Sequence, residues 1–280
     1  MFKKKKDQTY QSYWSISWNI FKKNKVAMVC LFIVILLCLI ALFAPLIAPY
    51  DPNKQVLTDR LMKPCGQHWF GTDDLGRDIF SRIIYGCRVS LSVGIISQII
   101  ATVIGYTMGV CAGYYGGKVD SVISFLIQVF SSFPFLLFAM AIMFVLGPGL
   151  INLYLALGLL GWASTARLIR GDVMRLKKME YIDACKVSGG NSFRIIMKHL
   201  LPNCLSTLIV TVTLGIPNAI MSEASLSFLG LGVKAPMASW GSMISFSQPY
   251  IRSATYYSVI PGLAIIITVL AFNMLGDGLR

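Results

Sequence analysis

Side chains able to do chemistry are scarce in this chain. The two histidines, His68 and His199, are too few and too far apart to make a metal site by themselves. The seven cysteines (Cys30, Cys38, Cys65, Cys87, Cys111, Cys185 and Cys204) form no C-x-x-C pair, and four fall in or at the end of apolar runs. That pattern argues against a metal cluster or a disulfide scaffold, with a Cys65–Cys87 pair left open. No G-x-x-x-x-G-K-[ST], G-x-S-x-G or H-E-x-x-H is present, so catalysis within this chain is not expected. What remains is a few polar residues set in apolar surroundings: Gln98, Gln128, Asn218 and Glu223. An acid inside an apolar run is a functional hypothesis because burying its charge is costly. Glu223 either sits at an interface, paired with Ser or a base, or touches a solute directly. Each glutamine either faces a path or bonds a neighbouring helix.

The elements that must position these groups follow from composition. The 280 residues are 56% hydrophobic and only 13% charged, against about 25% charged in soluble domains. This is an all-α polytopic membrane protein. Residues 26–50, 89–117, 199–222 and 253–276 lack Asp, Glu, Lys and Arg, and each can hold one crossing of about 20 residues. Residues 121–166 are also uncharged and are broken by Gly147-Pro148-Gly149. Six transmembrane helices are predicted, at 26–48, 89–113, 121–146, 151–169, 204–224 and 256–276. With the N-terminus inside, segments 1–25, 114–120, 167–203 and 277–280 hold 17 basic residues, and segments 49–88 and 225–255 hold 8. Positive-inside therefore puts both termini in the cytoplasm. The first apolar region is too long for a cleaved signal peptide. Lys3 to Lys6, with Tyr10, Tyr13, Trp14 and Trp18, suit a basic tail at a membrane edge.

Within this frame, residues 1–25 are the tail, 26–87 the first helix and a long outer loop, and 88–277 the core. The outer loop ends in an amphipathic piece, Asp78 to Gly86. Gly105, Gly109 and Gly113, at i, i+4 and i+8, form a small-residue face for close helix packing. Pro134 should kink the third helix. Gly215, Pro217 and Asn218 interrupt the fifth, which either lines a path or carries an ordinary proline kink. Gln128, Pro134, Pro217, Asn218 and Glu223 are the candidate pathway residues.

Between the fourth and fifth spans lies a charged segment, residues 180–203. Asp183, Ala184, Lys186 and Val187 fit one short helix, with small Ala184 permitting close approach; Glu180 and Cys185 belong to the same segment. Gly189-Gly190 permits a turn. Phe193, Ile195 and Ile196 supply an apolar surface on a second helix, which Pro202, after Leu201, stops before the next span. A basic loop that only fixes topology is the plainer reading. Val187-Ser188-Gly189-Gly190-Asn191 superficially resembles the L-S-G-G-Q signature of ABC ATPases, but without a phosphate-binding loop the glycines read as that turn.

Four segments together resemble the second permease subunit of dipeptide, oligopeptide and nickel ABC importers. They are His68-Trp-Phe-Gly-Thr-Asp-Asp-Leu-Gly-Arg-Asp-Ile-Phe-Ser-Arg-Ile-Ile-Tyr-Gly86, the 180–203 segment with Asp183-Ala184-Cys185, Gly189 and Leu201-Pro202, Ser225-Leu-Ser-Phe-Leu-Gly-Leu-Gly232 with Trp240-Gly241, and Phe272-Asn-Met-Leu-Gly-Asp-Gly-Leu-Arg280. Trp69 stands where Pro is common, Cys185 replaces the second Ala of the family's "EAA" loop, and the chain stops where relatives usually continue. The resemblance implies a type I ABC importer permease fold in a bacterial cell membrane. It also implies a homologous second permease, two ABC ATPase subunits, an extracytoplasmic solute-binding protein, and a peptide substrate or, in the same family, nickel or a nickel metallophore. In that family residues 180–203 would form the coupling loop on which an ATPase docks, moving as a rigid lever. No cofactor is expected in this chain, since ATP and Mg would sit on the partner subunits. A stand-alone ion-coupled carrier would instead need acidic or basic relays across several helices. A membrane enzyme would need a catalytic constellation that is missing.

Overall fold

The computed structural model describes residues 21–279. The expectations for Lys3–Lys6, Tyr10, Tyr13, Trp14 and Trp18 lie outside these residues. Among the described residues the only strand-like pairing is an isolated bridge between Thr72 and Asp78; the remaining regular structure is helical. Helix α1 spans Lys25–Leu42, capped by Asn24, whose side chain accepts from the Ala27 N–H. Only Ala27 and Cys30 of α1 are buried, and the rest of this all-round apolar helix suits a hydrocarbon environment. A short α2, Ala44–Ile47, begins with Pro45 in its first turn, where the missing N–H costs nothing.

Helix α3 runs Ile79–Tyr115, and Asp78 caps it by accepting from Ser81 N at 2.8 Å. The amphipathic piece before residue 89 is therefore the first part of the second helix. Helix α4, Gly117–Ser132, and helix α5, Phe135–Leu146, meet at a 90° bend. Phe133 is extended, as a residue before proline prefers, and Pro134 lacks the N–H that would continue the helix. The sequence predicts a kink here; the structure has a break.

Helix α6 spans Leu150–Leu176 and lies along α3. A Cβ at Gly105 would stand 2.6 Å from Thr165 Cβ, one at Gly109 2.7 Å from the Ala166 carbonyl oxygen, and one at Gly113 2.9 Å from the Arg170 carbonyl oxygen. The glycine face thus lets two backbones touch along three turns. Helix α7, Glu180–Val187, and helix α8, Ser192–Ile195, follow. A π-turn at Ile196–Leu200 then leads without a break into helix α9, Leu201–Phe228. Helix α10, Trp240–Ser247, and helix α11, Thr255–Leu279, complete the chain.

Pro202 does not stop the helix, contrary to the sequence expectation. It occupies the first turn of α9. The wider π-turn just before it accommodates the missing hydrogen bond and the ring's crowding of the preceding turn.

By length and apolarity, α1, α3, the continuous Ser192–Phe228 helix and α11 can cross a membrane, and the bent α4–α5 pair makes a fifth candidate. Helix α6, predicted as a span, is not among them. Asn152, Ser164, Thr165, Arg167 and Arg170 make it less apolar than the others, while Leu153, Ala156, Ala166, Ile169 and Val173 are fully enclosed by protein.

The segment between α2 and α3 closes on itself around a buried carboxylate. Asp73 accepts from the backbone N–H groups of Leu75 and Arg77 at 2.9 Å and from Arg77 Nε at 2.6 Å. Arg82 Nε stands 3.4 Å from the same carboxylate, and its Nη1 donates to the Pro52 carbonyl at 2.9 Å. Tyr257 of α11 donates to Asp74 at 3.1 Å, fastening the loop to the bundle. Cys65 is exposed and Cys87 is buried with its Sγ toward the Leu37 carbonyl; both are free thiols.

Candidate functional site

Two features stand out where charge or polarity is presented on this apolar scaffold. The first is an elbow, Glu180–Leu201. Helix α7 ends with the Gly190 N–H on the Cys185 carbonyl at 2.9 Å and the Gly189 N–H on the Lys186 carbonyl at 3.0 Å. These are the two bonds of a Schellman stop, with Gly189 at φ +80°. A Cβ on Gly190 would stand 2.7 Å from the Cys185 carbonyl oxygen. Asn191 then caps α8 by accepting from Arg194 N at 2.8 Å. The glycine pair is the turn between two helices that the sequence predicts.

The elbow is seated by one isoleucine from each arm. Ile182 and Ile195 are buried in a cluster with Val110 of α3, Ile169 and Val173 of α6, and Leu200, Cys204 and Leu208. The outward side carries Ala184, Lys186 and the conspicuous apolar side chains Val187, 90% exposed, and Phe193, 72% exposed. Of the expected apolar surface only Phe193 faces fully outward, since Ile195 turns into the core and Ile196 is half-buried. Glu180, Asp183, Pro202 and Gly189 are exposed, Cys185 and Leu201 half-buried. Lys186 donates to Asp183 at 2.7 Å.

The second feature is an open cavity of about 490 Å³ lined by α3, α5, α6 and α9. Its lining includes Ser97 and Gln98 of α3, Ser164 of α6, and Gly215, Asn218, Met221, Ser222 and Ser225 of α9. The α9 residues fall at i, i+3, i+6, i+7 and i+10, one stripe of a helix. Ser222 donates to the Asn218 carbonyl at 2.8 Å, Ser225 to the Met221 carbonyl at 2.9 Å, and Ser164 to the Gly161 carbonyl at 2.9 Å. Each hydroxyl proton is thus engaged, and the oxygen lone pairs are left to accept from a solute. Ser97 Oγ is buried without a partner. Gly215 has no Cβ, and the Gln98 amide occupies that space. The wall sets these polar groups among the apolar side chains of Phe135, Leu136, Leu157, Ala219 and Met221, and carries no charged side chain.

The family described as "Binding-protein-dependent transport system inner membrane component" matches residues 102–280, and "N-terminal TM domain of oligopeptide transport permease C" matches residues 12–64. The chain belongs to the first of these families. Among curated members, this permease chain is 44% identical over 270 residues to the dipeptide transport system permease protein DppC of Bacillus subtilis, covering 96% of this chain and 84% of that one. It is 40% identical to the oligopeptide transport system permease protein OppC of the same organism, covering 96% and 88%. It is 40% identical to the glutathione transport system permease protein GsiD of Pectobacterium atrosepticum, covering 98% and 92%. The permease fold is shared with a chain of the inward-facing MetNI methionine ABC transporter, with TM-score 0.58, 20% identity, and coverage of 71% of this chain and 94% of that one.

The candidate pathway residues of the permease separate in space. Asn218 lines the cavity. Pro217 is buried within α9 and does not line the cavity. Pro134 sits at the α4–α5 break, and the two residues after it, Phe135 and Leu136, are the ones that reach the cavity. Gln128 is exposed on α4, away from that wall. Glu223 is 0% exposed and does not face the cavity; its Oε1 accepts from Ser227 at 2.6 Å and Ser239 at 2.7 Å. The protein encloses it, one turn along α9 from the lining residue Ala219. Ser97, Ser164, Ser222 and Ser225 were missed by reading for charge and helix breakers. The signal for the α9 pair was the polar stripe through Asn218, and the α3 and α6 serines had none. Among the described residues no three His, Cys, Asp or Glu gather as a metal site.

Proposed function

We propose that this chain is one of two permease subunits of a type I ABC importer in a bacterial inner membrane, with six spans and cytoplasmic termini. In this reading α6 and the α4–α5 pair complete the six, and residues 26–87 and 88–277 remain the working segments after the basic tail. The partner permease supplies the opposite wall of the path. Two ATPase subunits, which carry ATP and Mg, engage the elbow, and an extracytoplasmic binding protein delivers solute.

The observation that carries this reading is the elbow. Ile182 and Ile195 seat it in the same core as α3, α6 and α9, so a force on Val187 and Phe193 reaches the helices that line the cavity. Small Ala184, beside them, leaves room for a partner to approach.

The substrate we propose is a di- or oligopeptide. The hydroxyl and amide groups of this neutral wall suit backbone N–H and C=O groups, and its apolar side chains tolerate varied side chains of the solute. The peptide names of the relatives favour this over nickel, and the cavity offers no His or carboxylate ligand. Glu223, enclosed by serines, is no relay for a stand-alone carrier. The test is purification of the complex through this chain and measurement of its ATPase rate with binding protein and peptides. Co-purified ATPases and peptide stimulation support the reading; a chain that transports alone, or responds only to nickel chelates, overturns it.

A further inference from the structure

We infer that Glu223 is a positioning residue that sets the width of the cavity through a polar strut from α9, by way of α10, to α3. The strut rests on the permease reading for its consequence but not for its geometry. Its first link is the Glu223 carboxyl, fully buried and outside the cavity lining. Oε1 takes two hydroxyl protons, from Ser227 one turn along and from Ser239, which precedes α10. Ser239 Oγ in turn accepts from Ser242 N at 3.0 Å, while Ser242 Oγ faces Ser239 N at 2.9 Å. That reciprocal cap makes the start of α10 a rigid unit.

The next residue completes the span. Trp240 N donates to Ser90 Oγ at 3.2 Å, and its indole Nε1 donates to the Ile83 carbonyl at 3.0 Å, both on α3. Gly86 leaves room for this indole: a Cβ there would stand 3.1 Å from the ring. Ser90 is buried, and Ser97, seven residues on along the same helix, lines the cavity. One polar chain therefore joins the helix bearing Met221 and Ser222 to the helix bearing Ser97. Helix α6 rides with α3 through the glycine contact.

The other carboxyl oxygen shows what the strut costs. Glu223 Oε2 is buried with no partner, and an unpaired buried acceptor is destabilising. A leucine would fill the same core without that penalty. The carboxyl is explained by the two bonds that Oε1 holds in register. Breaking them leaves α9 and α10 packed by apolar contact alone, which is non-directional and lets the helices slide.

The experiment uses the assembled complex in nanodiscs, with the native cysteines replaced. Spin labels go on Ser164→Cys of α6 and Met221→Cys of α9, both exposed in the cavity wall. Pulsed electron resonance then reads the distance distribution between them. Ser239→Ala, Ser90→Ala and Glu223→Ala should each widen or shift that distribution, and Glu223→Gln, whose amide oxygen still accepts both hydroxyls, should restore it. The ratio of tetrapeptide to dipeptide uptake should rise about two- to tenfold in the widened variants, the effect of one lost hydrogen bond. An unchanged distribution in Ser239→Ala and Ser90→Ala overturns the strut, as does Glu223→Gln behaving like Glu223→Ala. If Glu223→Ala fails to assemble, the two serine variants decide. A wild-type complex that moves no peptide defeats the proposed substrate, and the label distances still judge the strut.

Discussion

A Cβ on Gly109 would stand 2.7 Å from the carbonyl oxygen of Ala166, so α3 and α6 meet there backbone to backbone. Neither atom can retreat without moving a helix, since Ala166 and Ile169 are fully buried. Gly109→Val should therefore destabilise the chain by about 1–3 kcal/mol, the range for overpacking. Membrane insertion should persist while recovery of assembled complex falls. Gly171, where a Cβ meets open space, is the control, and Gly171→Ala should assemble normally. Equal recovery of both variants would refute the close approach.

At the elbow, Gly190→Ala meets the Cys185 backbone, whereas Gly189→Ala meets open space but must hold φ +80°. The second costs roughly 1 kcal/mol; the first must open the turn. We expect Gly190→Ala to uncouple ATP hydrolysis from uptake more severely than Gly189→Ala. Uptake per ATP hydrolysed is the measurement.

Lys186 and Asp183 form an exposed pair one turn apart, worth at most a few tenths of a kcal/mol to α7. Lys186→Glu should leave the protein inserted and folded. If it also abolishes ATPase association, measured by co-purification, the lysine acts on the partner and not on the helix. Val187→Asp should do the same, because Val187 touches little of its own chain.

The loop between α2 and α3 depends on Asp73, which carries two backbone N–H groups and the Arg77 guanidinium with none of its surface exposed. Asp73→Ala takes the nearest carboxylate from Arg82 and leaves Arg77 only Asp74, at 3.7 Å. Breaking a buried pair costs about 3–5 kcal/mol, so this variant should be degraded or fail to assemble, as immunoblotting of membranes would show. Asp51→Ala, in an exposed turn of the same loop, should be tolerated.

In the cavity, Ser222→Leu and Asn218→Leu replace acceptors on the α9 stripe with apolar bulk. Both should lower peptide uptake at normal complex levels. Gln128→Leu, exposed on α4 away from this wall, should have little effect. Equal losses at all three positions would argue against this cavity as the path.

Much of the scaffold could be read along the chain, because the rules involved are local. An uninterrupted apolar run must bury its backbone polar groups in a helix wherever lipid surrounds it. Hence α1 and α11 lie close to where charge-free intervals placed them. A glycine repeat at i, i+4 and i+8 makes one face of α3 whatever it meets, and a Gly-Gly pair before Asn191 makes a turn. The motif segments, too, were enough to point to the permease family.

Tertiary structure decided the rest. Pro134 and Pro202 are both helix breakers by rule, yet one breaks its span and the other begins a helix continuous with the turn before it. The difference lies in the π-turn at Ile196–Leu200, which local propensity does not specify. Ile195 looked like partner surface and is core, because α3 and α6 offer it a better apolar home. The sequence left Glu223 either paired with Ser or a base or in contact with a solute; its Ser239 partner, sixteen residues on, is supplied only by the fold. The cavity's hydroxyls come from three helices far apart in sequence. Which polar groups share a space depends on how helices pack, and packing is a property of pairs that no single stretch of sequence contains.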